Sequence, residues 1–245
     1  MNVLIACEES QEVCKAFRER GHLAFSCDLQ ECSGGHPEWH IQGDVLPIIN
    51  GNCTFVTMDG KTHIQTGQWD LLIAHPPCTL LSNAGARWLY KGGELNEERY
   101  SRGIIAKQFF LNFYNAKCER IAIENPVPSS VFRLPKYSQI IQPYYFGHKA
   151  TKKTCLWLKG LPDLQPTHVV VPYKGRRITL KNGKTRNTCW TMDCGKPFGG
   201  ENRAKLRSKT FSGIAEAMAE QWGEKMEYDV LPGQISFDDY EEMEE

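Results

Sequence analysis

Two short apolar runs, "LLIA" at 71–74 and "IAIEN" at 121–125, each lead into a proline-bearing turn, "HPPC" and "PVP". Proline fixes its own φ and has no amide proton to give to a ladder. Each run is therefore a buried strand that must stop there and hand its next residues to a turn. "NVLIAC" at 2–7 and "LAFSCDL" at 23–29 have the same form. Between them Val13, Ala16 and Phe17 share one helical face and Gly21 closes the segment, so residues 2–29 read as strand, helix, strand. Asp59-Gly60, set between the β-prone runs of "FVTMDGKTHIQ", predicts a hairpin inserted before the strand at 70–74. A long helix is expected over 94–115, with further strands in "YSQIIQPYYF" and "KKTCLWLKG". Phe211, Ile214, Ala215, Met218, Ala219 and Trp222 recur at helical spacing and predict a packed closing helix.

This alternation predicts an α/β fold, a mostly parallel sheet covered by helices on both faces. A chain of 245 residues, 41% of them apolar, suffices for one such domain. No apolar run approaches the roughly 18 residues of a membrane span, and "MNVLIAC" is only strand-length. The expectation is a cytoplasmic chain with no membrane partner, whose ten cysteines are reduced thiols.

The formal net charge of zero hides an asymmetry. Residues 224–245 carry nine acids and one lysine, whereas residues 1–223 carry 28 basic side chains against 20 acidic, net +8. Within the latter, residues 145–210 hold 15 Lys and Arg against 3 Asp and Glu, net +12. That density is the footprint of a phosphate-backbone contact, and Lys174, Arg176, Arg177, Lys181, Lys184 and Arg186 are its centre. Residues 161–204 lose the apolar period and read as a small basic insertion; beyond Gly223 the acidic tail is expected to be disordered. Cys189 and Cys194, with His168 near them, lack a second paired motif and are not read as a metal site.

In open parallel sheets, ligands collect beyond the carboxyl ends of the strands. The residues there are Ala6, Cys7, Glu8 and Ser10, then Asp28, Asp44, His75 to Cys78, and Glu124 with Asn125. Asp28, at the end of the second strand, is placed to accept from a ribose diol. The pair Cys78 and Glu124 is the most informative. Pyrimidine C5 is a poor nucleophile, and thiolate addition at C6 with acid assistance at N3 makes it carbanion-like. That chemistry needs one thiol and one carboxyl, the latter partly protonated or strongly hydrogen-bonded.

"PPC" followed by Ser82, Ala84 and Gly85, together with "IEN" at 123–125, resembles the Pro-Cys loop and Glu-Asn motif of the DNA (cytosine-5)-methyltransferases. Weaker likenesses are Asp28 after the opening turn, "GDV" at 43–45, "YFGHKATKKTCLWLKG" and the glycine-led last helix. The resemblance implies a Rossmann-like methyltransferase core over 1–160 and 205–223, with 161–204 as a miniature target-recognition insertion. It implies S-adenosylmethionine as cofactor, held by Ala6, Cys7, Glu8, Ser10, Asp28, Asp44, His75 and Pro76. Cys78 and Glu124 become the catalytic pair, with Pro77, Ser82, Asn125 and Lys152 around the base. The implied partner is double-stranded DNA, bound by a monomer. Rival readings keep the fold and act on an RNA cytosine, or lose catalysis and only bind DNA. "GQISFDDY" in the tail resembles short sliding-clamp-binding peptides, which would add a weak clamp contact. The chain departs from the family pattern in three places: "ACEESQ" has no glycine, His75 stands where a glycine is usual, and Lys152 is the one positive charge where two are expected.

Overall fold

The computed structural model describes residues 1–180, 182–188 and 209–223. Seven strands form one sheet: β1 (Asn2–Ala6), β2 (Leu23–Asp28), β3 (His40–Gln42), β4 (Leu71–Ala74), β5 (Ile121–Pro126), β6 (Gln139–Ile141) and β7 (Thr154–Lys159). Their spatial order is β6-β7-β5-β4-β1-β2-β3, parallel throughout except that β7 runs antiparallel to both neighbours. The chain is thus a Rossmann-like α/β protein of the class expected from the sequence. Chain order reverses between β1 and β4, so the crevice beyond those two strand ends is the place where such a sheet binds ligands.

Strand side chains alternate between the faces, and the core divides accordingly. Val3, Ile5, Leu71, Ile73, Ala122 and Leu156 face the helices α1 (Glu12–Glu19) and α4 (Ser212–Gly223), which bring Val13, Ala16, Phe17, Ile214, Met218 and Trp222. Leu4, Ala6, Leu72, Ala74, Ile121, Ile123 and Trp157 face the other way, toward Phe110 and Phe113 of α3 (Glu97–Tyr114) and toward Trp69 and Phe132. Full burial of a large apolar side chain contributes about 1.5–3 kcal/mol, so these two layers supply the main driving force.

The sequence-predicted hairpin is present as Cys53–Val56 paired with Thr62–Gln65. The long helix begins at Glu97 rather than Glu94, because Tyr90–Lys91 and Glu94–Leu95 make a small hairpin and Asn96 caps the helix by accepting from the Arg99 amide. In "YSQIIQPYYF" only three residues are strand, since Pro143 opens a 3-10 turn. None of the eight cysteines among the described residues is in a disulfide. No helix among the described residues is long and apolar enough to cross a membrane.

After β7 the chain stays on the core for a few residues. Leu164 is buried, the indole N–H of Trp222 donates to the Pro162 carbonyl, and Gln139 exchanges two hydrogen bonds with Leu164. Residues 168–173 then run beside 144–149 before the hairpin Arg177–Thr179 with Thr185–Asn187. Lys181, the Arg186 side chain, Cys189, Cys194 and the acidic tail with its clamp-like stretch lie outside the described residues.

Candidate active site at the strand ends

β1 ends in a loop built without glycine. Cys7 and Gln11 adopt left-handed backbone, φ 59° and 57°, where an L side chain costs about 1–2 kcal/mol. The surroundings fix these conformations. The amides of Cys7 and Glu8 both donate to the Cys27 carbonyl. The Gln11 side chain donates to the His36 carbonyl and accepts from the His36 amide. The buried Glu8 carboxylate accepts from the amides of Val13 (2.7 Å) and Cys14 (3.1 Å), and so anchors the start of α1 in place of an N-cap side chain. Burial pushes the Glu8 carboxyl above its ordinary value, against the pull of His75 and the two amides. Glu8 is therefore committed to the helix, and Ser10 is buried beneath the same loop.

Asp28 at the end of β2 and Asp44 beyond β3 each spend one oxygen on a local turn, accepting from Gln30 and Leu46 respectively. The Gly43 amide donates to the Asp28 carbonyl and ties the two turns together. Burial raises the Cys7 thiol far above its ordinary value, and Asp28, Cys27 and Asp44 raise it further. The two acids thus converge over the end of β1. A pair of acceptors beside a backbone loop at the switch point fits the hydroxyl and amine donors of a nucleoside, which is the donor set that S-adenosylmethionine offers.

On the other side of β1, His75 follows β4 and Glu124 lies in β5. Ala74 is in register with Ile123, so His75 and Glu124 sit one step past paired positions and point to the same face. His75 Nδ1 lies 3.1 Å from Glu124 Oε2, with both side chains about nine-tenths buried. β7 runs back along β5 and its approach delivers Lys152, whose Nζ is 4.0 Å from Glu124 Oε1. Burial alone would raise the Glu124 carboxyl, but Lys152 and then His75 outweigh it and hold it down at about 2. Of the two states expected for this carboxyl, the structure takes the hydrogen-bonded and ionised one.

The Pro-Pro-Cys loop is tied to the Glu-Asn strand at several points. Asn125 Nδ2 donates to the Pro76 carbonyl at 2.8 Å, the Asn83 amide donates to Val127, and the Ser129 amide donates to Leu81. Pro76 is buried while Pro77 is exposed and Cys78 is half-buried. The Cys78 carbonyl accepts from Leu81 and Ser82, making the turn that leads into the short helix α2 (Asn83–Ala86), which Ser82 caps by accepting from Gly85. Arg99 of α3 donates to the carbonyls of Thr79 and Gly85 and braces this turn from behind. The brace was not foreseen from the sequence; its only signal is an arginine in the first turn of a helix that follows the loop.

Ala6, Cys7, Asp28 and Asp44 are therefore gathered on one side of β1, and His75, Pro76, Cys78, Ser82, Glu124, Asn125 and Lys152 on the other. Lys174, Arg176, Arg177 and Lys184 are exposed on and beside the hairpin beyond β7, where the Arg176 amide donates to Thr188 Oγ1 and Arg177 to Thr185 Oγ1. A shallow groove of about 340 Å³ between Leu46, Ile49, Asn50 and the end of α3 includes none of these residues.

No known family model matches the chain, and no curated protein matches it. Among solved structures it is similar to a methyltransferase of Entamoeba histolytica, with 14% identity and a TM-score of 0.36 over 73% of this chain. The chain spans 58% of that structure's length.

Proposed function

We propose that the protein transfers the methyl group of S-adenosylmethionine to C5 of cytosine in DNA. The observation that carries this reading is the joining of the two proline-stopped strand ends. The Asn125–Pro76 bond ties the cysteine loop to the strand that holds an ionised, hydrogen-bonded Glu124. Asp28, Asp44 and the backbone at Ala6 and Cys7 would hold the cofactor, which supplies an electrophilic methyl group when bound. The target base is flipped out of the duplex, at a cost of a few kcal/mol offset by pocket contacts. Cys78, its proton given up to solvent, adds to C6 as the thiolate, and a proton taken up from solvent sits at N3 against the ionised Glu124. After C5 accepts the methyl group, water takes the C5 proton, the N3 proton returns to solvent and the C6–S bond breaks to release the thiolate. Ser82, Ala84 and Gly85 shape the loop over the base, and the basic residues Lys174, Arg176, Arg177 and Lys184 lie against phosphates.

Incubating the protein with methyl-labelled cofactor and mixed-sequence genomic DNA, followed by bisulfite sequencing, tests this directly. Label is expected at C5 of cytosine in a fixed sequence context. Cys78→Ser should keep the fold and lose turnover, because a hydroxyl is far less ionised and less nucleophilic than a thiol near neutral pH. DNA carrying 5-fluorocytosine should be trapped covalently by the wild type only. Full activity of the serine variant removes Cys78 as the nucleophile, and transfer to RNA alone moves the substrate.

A further inference from the structure

Cys78 stands between two carbonyls that are each held from elsewhere in the fold. Asn125 of β5 donates to Pro76 on one side; on the other, the Arg99 guanidinium donates through Nη2 to Thr79 at 3.3 Å and to Gly85 at 3.1 Å. Among the described residues no backbone amide donates to the Thr79 carbonyl, so Arg99 supplies its donor. The two carbonyls can converge on one guanidinium because Gly85 has no Cβ, which would collide with the Thr79 oxygen. Arg99 itself springs from a fixed base: its amide donates to the Asn96 cap, and α3 is anchored in the core through Phe110 and Phe113.

We propose that Arg99 is a positioning residue for Cys78: by gripping the Thr79 and Gly85 carbonyls it fixes the cysteine turn against α3, as Asn125 fixes it against β5. This rests on Cys78 being the nucleophile of the proposed reaction, and it adds a residue that acts on the thiol through the backbone of its own turn.

The arginine makes this contact at a cost to the helix that carries it. A cation in the first turn sits at the positive end of the helix dipole, where the negative charges of Glu97 and Glu98 are the favoured sign. Arg99 Nε is also buried with no hydrogen-bond partner among the described residues, so its hydration is given up without replacement. Helix stability alone favours neither feature. What the arginine gains is a planar fork whose charge strengthens its bonds to two neutral acceptors on opposite ends of the turn. Pro76 and Pro77 have no amide with which to tie the loop to its surroundings, so Cys78 depends on side chains for its place. A misplacement of about 1 Å costs about a hundredfold in rate, which is the margin that such a brace protects.

Iodoacetamide alkylation of the free protein, followed by mass spectrometry of the peptide that holds Cys78, reads the state of the turn. In wild type the thiol is half-buried. Arg99→Ala should release the turn and raise the alkylation rate of Cys78 about tenfold at one fixed, mildly alkaline pH. Added guanidinium ion, far below denaturing concentration, should return that rate toward the wild-type value in the variant and leave the wild type unchanged. Arg99→Lys, which keeps the charge but not the fork, should fall between the two and carries the same comparison if the alanine variant does not fold. In methyl-transfer assays Arg99→Ala should lose about ten- to hundredfold in kcat, with guanidinium restoring part of it and cofactor affinity by calorimetry unchanged. A Cys78 alkylation rate equal to wild type in both variants, a guanidinium effect no larger there than on the wild type, or an unchanged kcat in the folded variants would each overturn the proposal. Alkylation needs no turnover, so absence of methyl transfer by the wild type counts against the assigned reaction and not against the Arg99 grip.

Discussion

Asn125 Nδ2 donates to the carbonyl oxygen of Pro76 across 2.8 Å, although the two residues stand 49 positions apart in the chain. Pro76 and Pro77 give the turn no amide donors of their own, so this side-chain bond satisfies a buried carbonyl that secondary structure cannot reach. It also couples the position of the cysteine loop to the strand that carries Glu124.

Asn125→Ala should therefore act on stability and on rate together. Removing the donor leaves the Pro76 carbonyl buried and unpaired, at a cost of about 1–3 kcal/mol, which urea unfolding would read as a lower midpoint with an unchanged slope. Methyl transfer should fall further than stability does, because the loop is no longer held against β5. An activity equal to wild type in the folded variant would show that the bond is purely structural.

Glu124 makes a prediction in pH. Its carboxyl is lowered from 4.5 to about 2 in the folded protein, so the stability it contributes is fully present above pH 4.5 and is lost as pH falls through about 2. Acid unfolding of the wild type should show this loss between those values, and Glu124→Gln should not show it. The same variant should slow methyl transfer on the order of 100-fold while leaving cofactor binding, measured by calorimetry, nearly unchanged.

Gly85 lies so close to the Thr79 carbonyl oxygen that a Cβ there would collide with backbone. Gly85→Ala should push the start of α2 away from the cysteine turn and disturb the carbonyls that Arg99 grips. Limited proteolysis should cut within 78–90 faster than in wild type, and turnover should drop with it. Gly60→Ala makes a control for the general cost of losing a glycine, since a Cβ there meets nothing even though its φ of +84° is strained for alanine.

The basic excursion predicts a salt dependence. Each phosphate contact contributes about 0.9 to the slope of log affinity against log salt, so five contacts would lose two to three decades between about 50 and 200 mM. Neutralising Arg176 and Arg177 together should flatten the slope by about one to two units, with cofactor affinity unchanged. The comparison is to be repeated on a chain ending at Gly223, because the acidic tail can compete for the same surface. An unaltered slope in both forms would place the DNA contact elsewhere.

Much of the fold was legible in the chain because local periodicity decides which side chains a strand or helix can bury. The alternation of Val3, Leu4 and Ile5 between the two core layers, the α4 stripe from Ile214 to Trp222 and the Asp59-Gly60 hairpin all follow from spacing alone. Asp28 closes β2, the cysteine loop follows β4 and Glu124 lies in β5. What spacing could not supply is who stands beside whom. His75 meets Glu124 because β4 lies next to β5 in the sheet, and Lys152 reaches Glu124 because β7 runs backward beside β5. Glu8, which reads as a ligand contact, turns inward to hold the amides of Val13 and Cys14. Sheet order and loop direction are set by non-local packing, where segments tens of residues apart compete for the same buried surface. Periodicity within a segment therefore determined the face of each side chain, and only the tertiary fold determined its partner and, for Glu124, its charge.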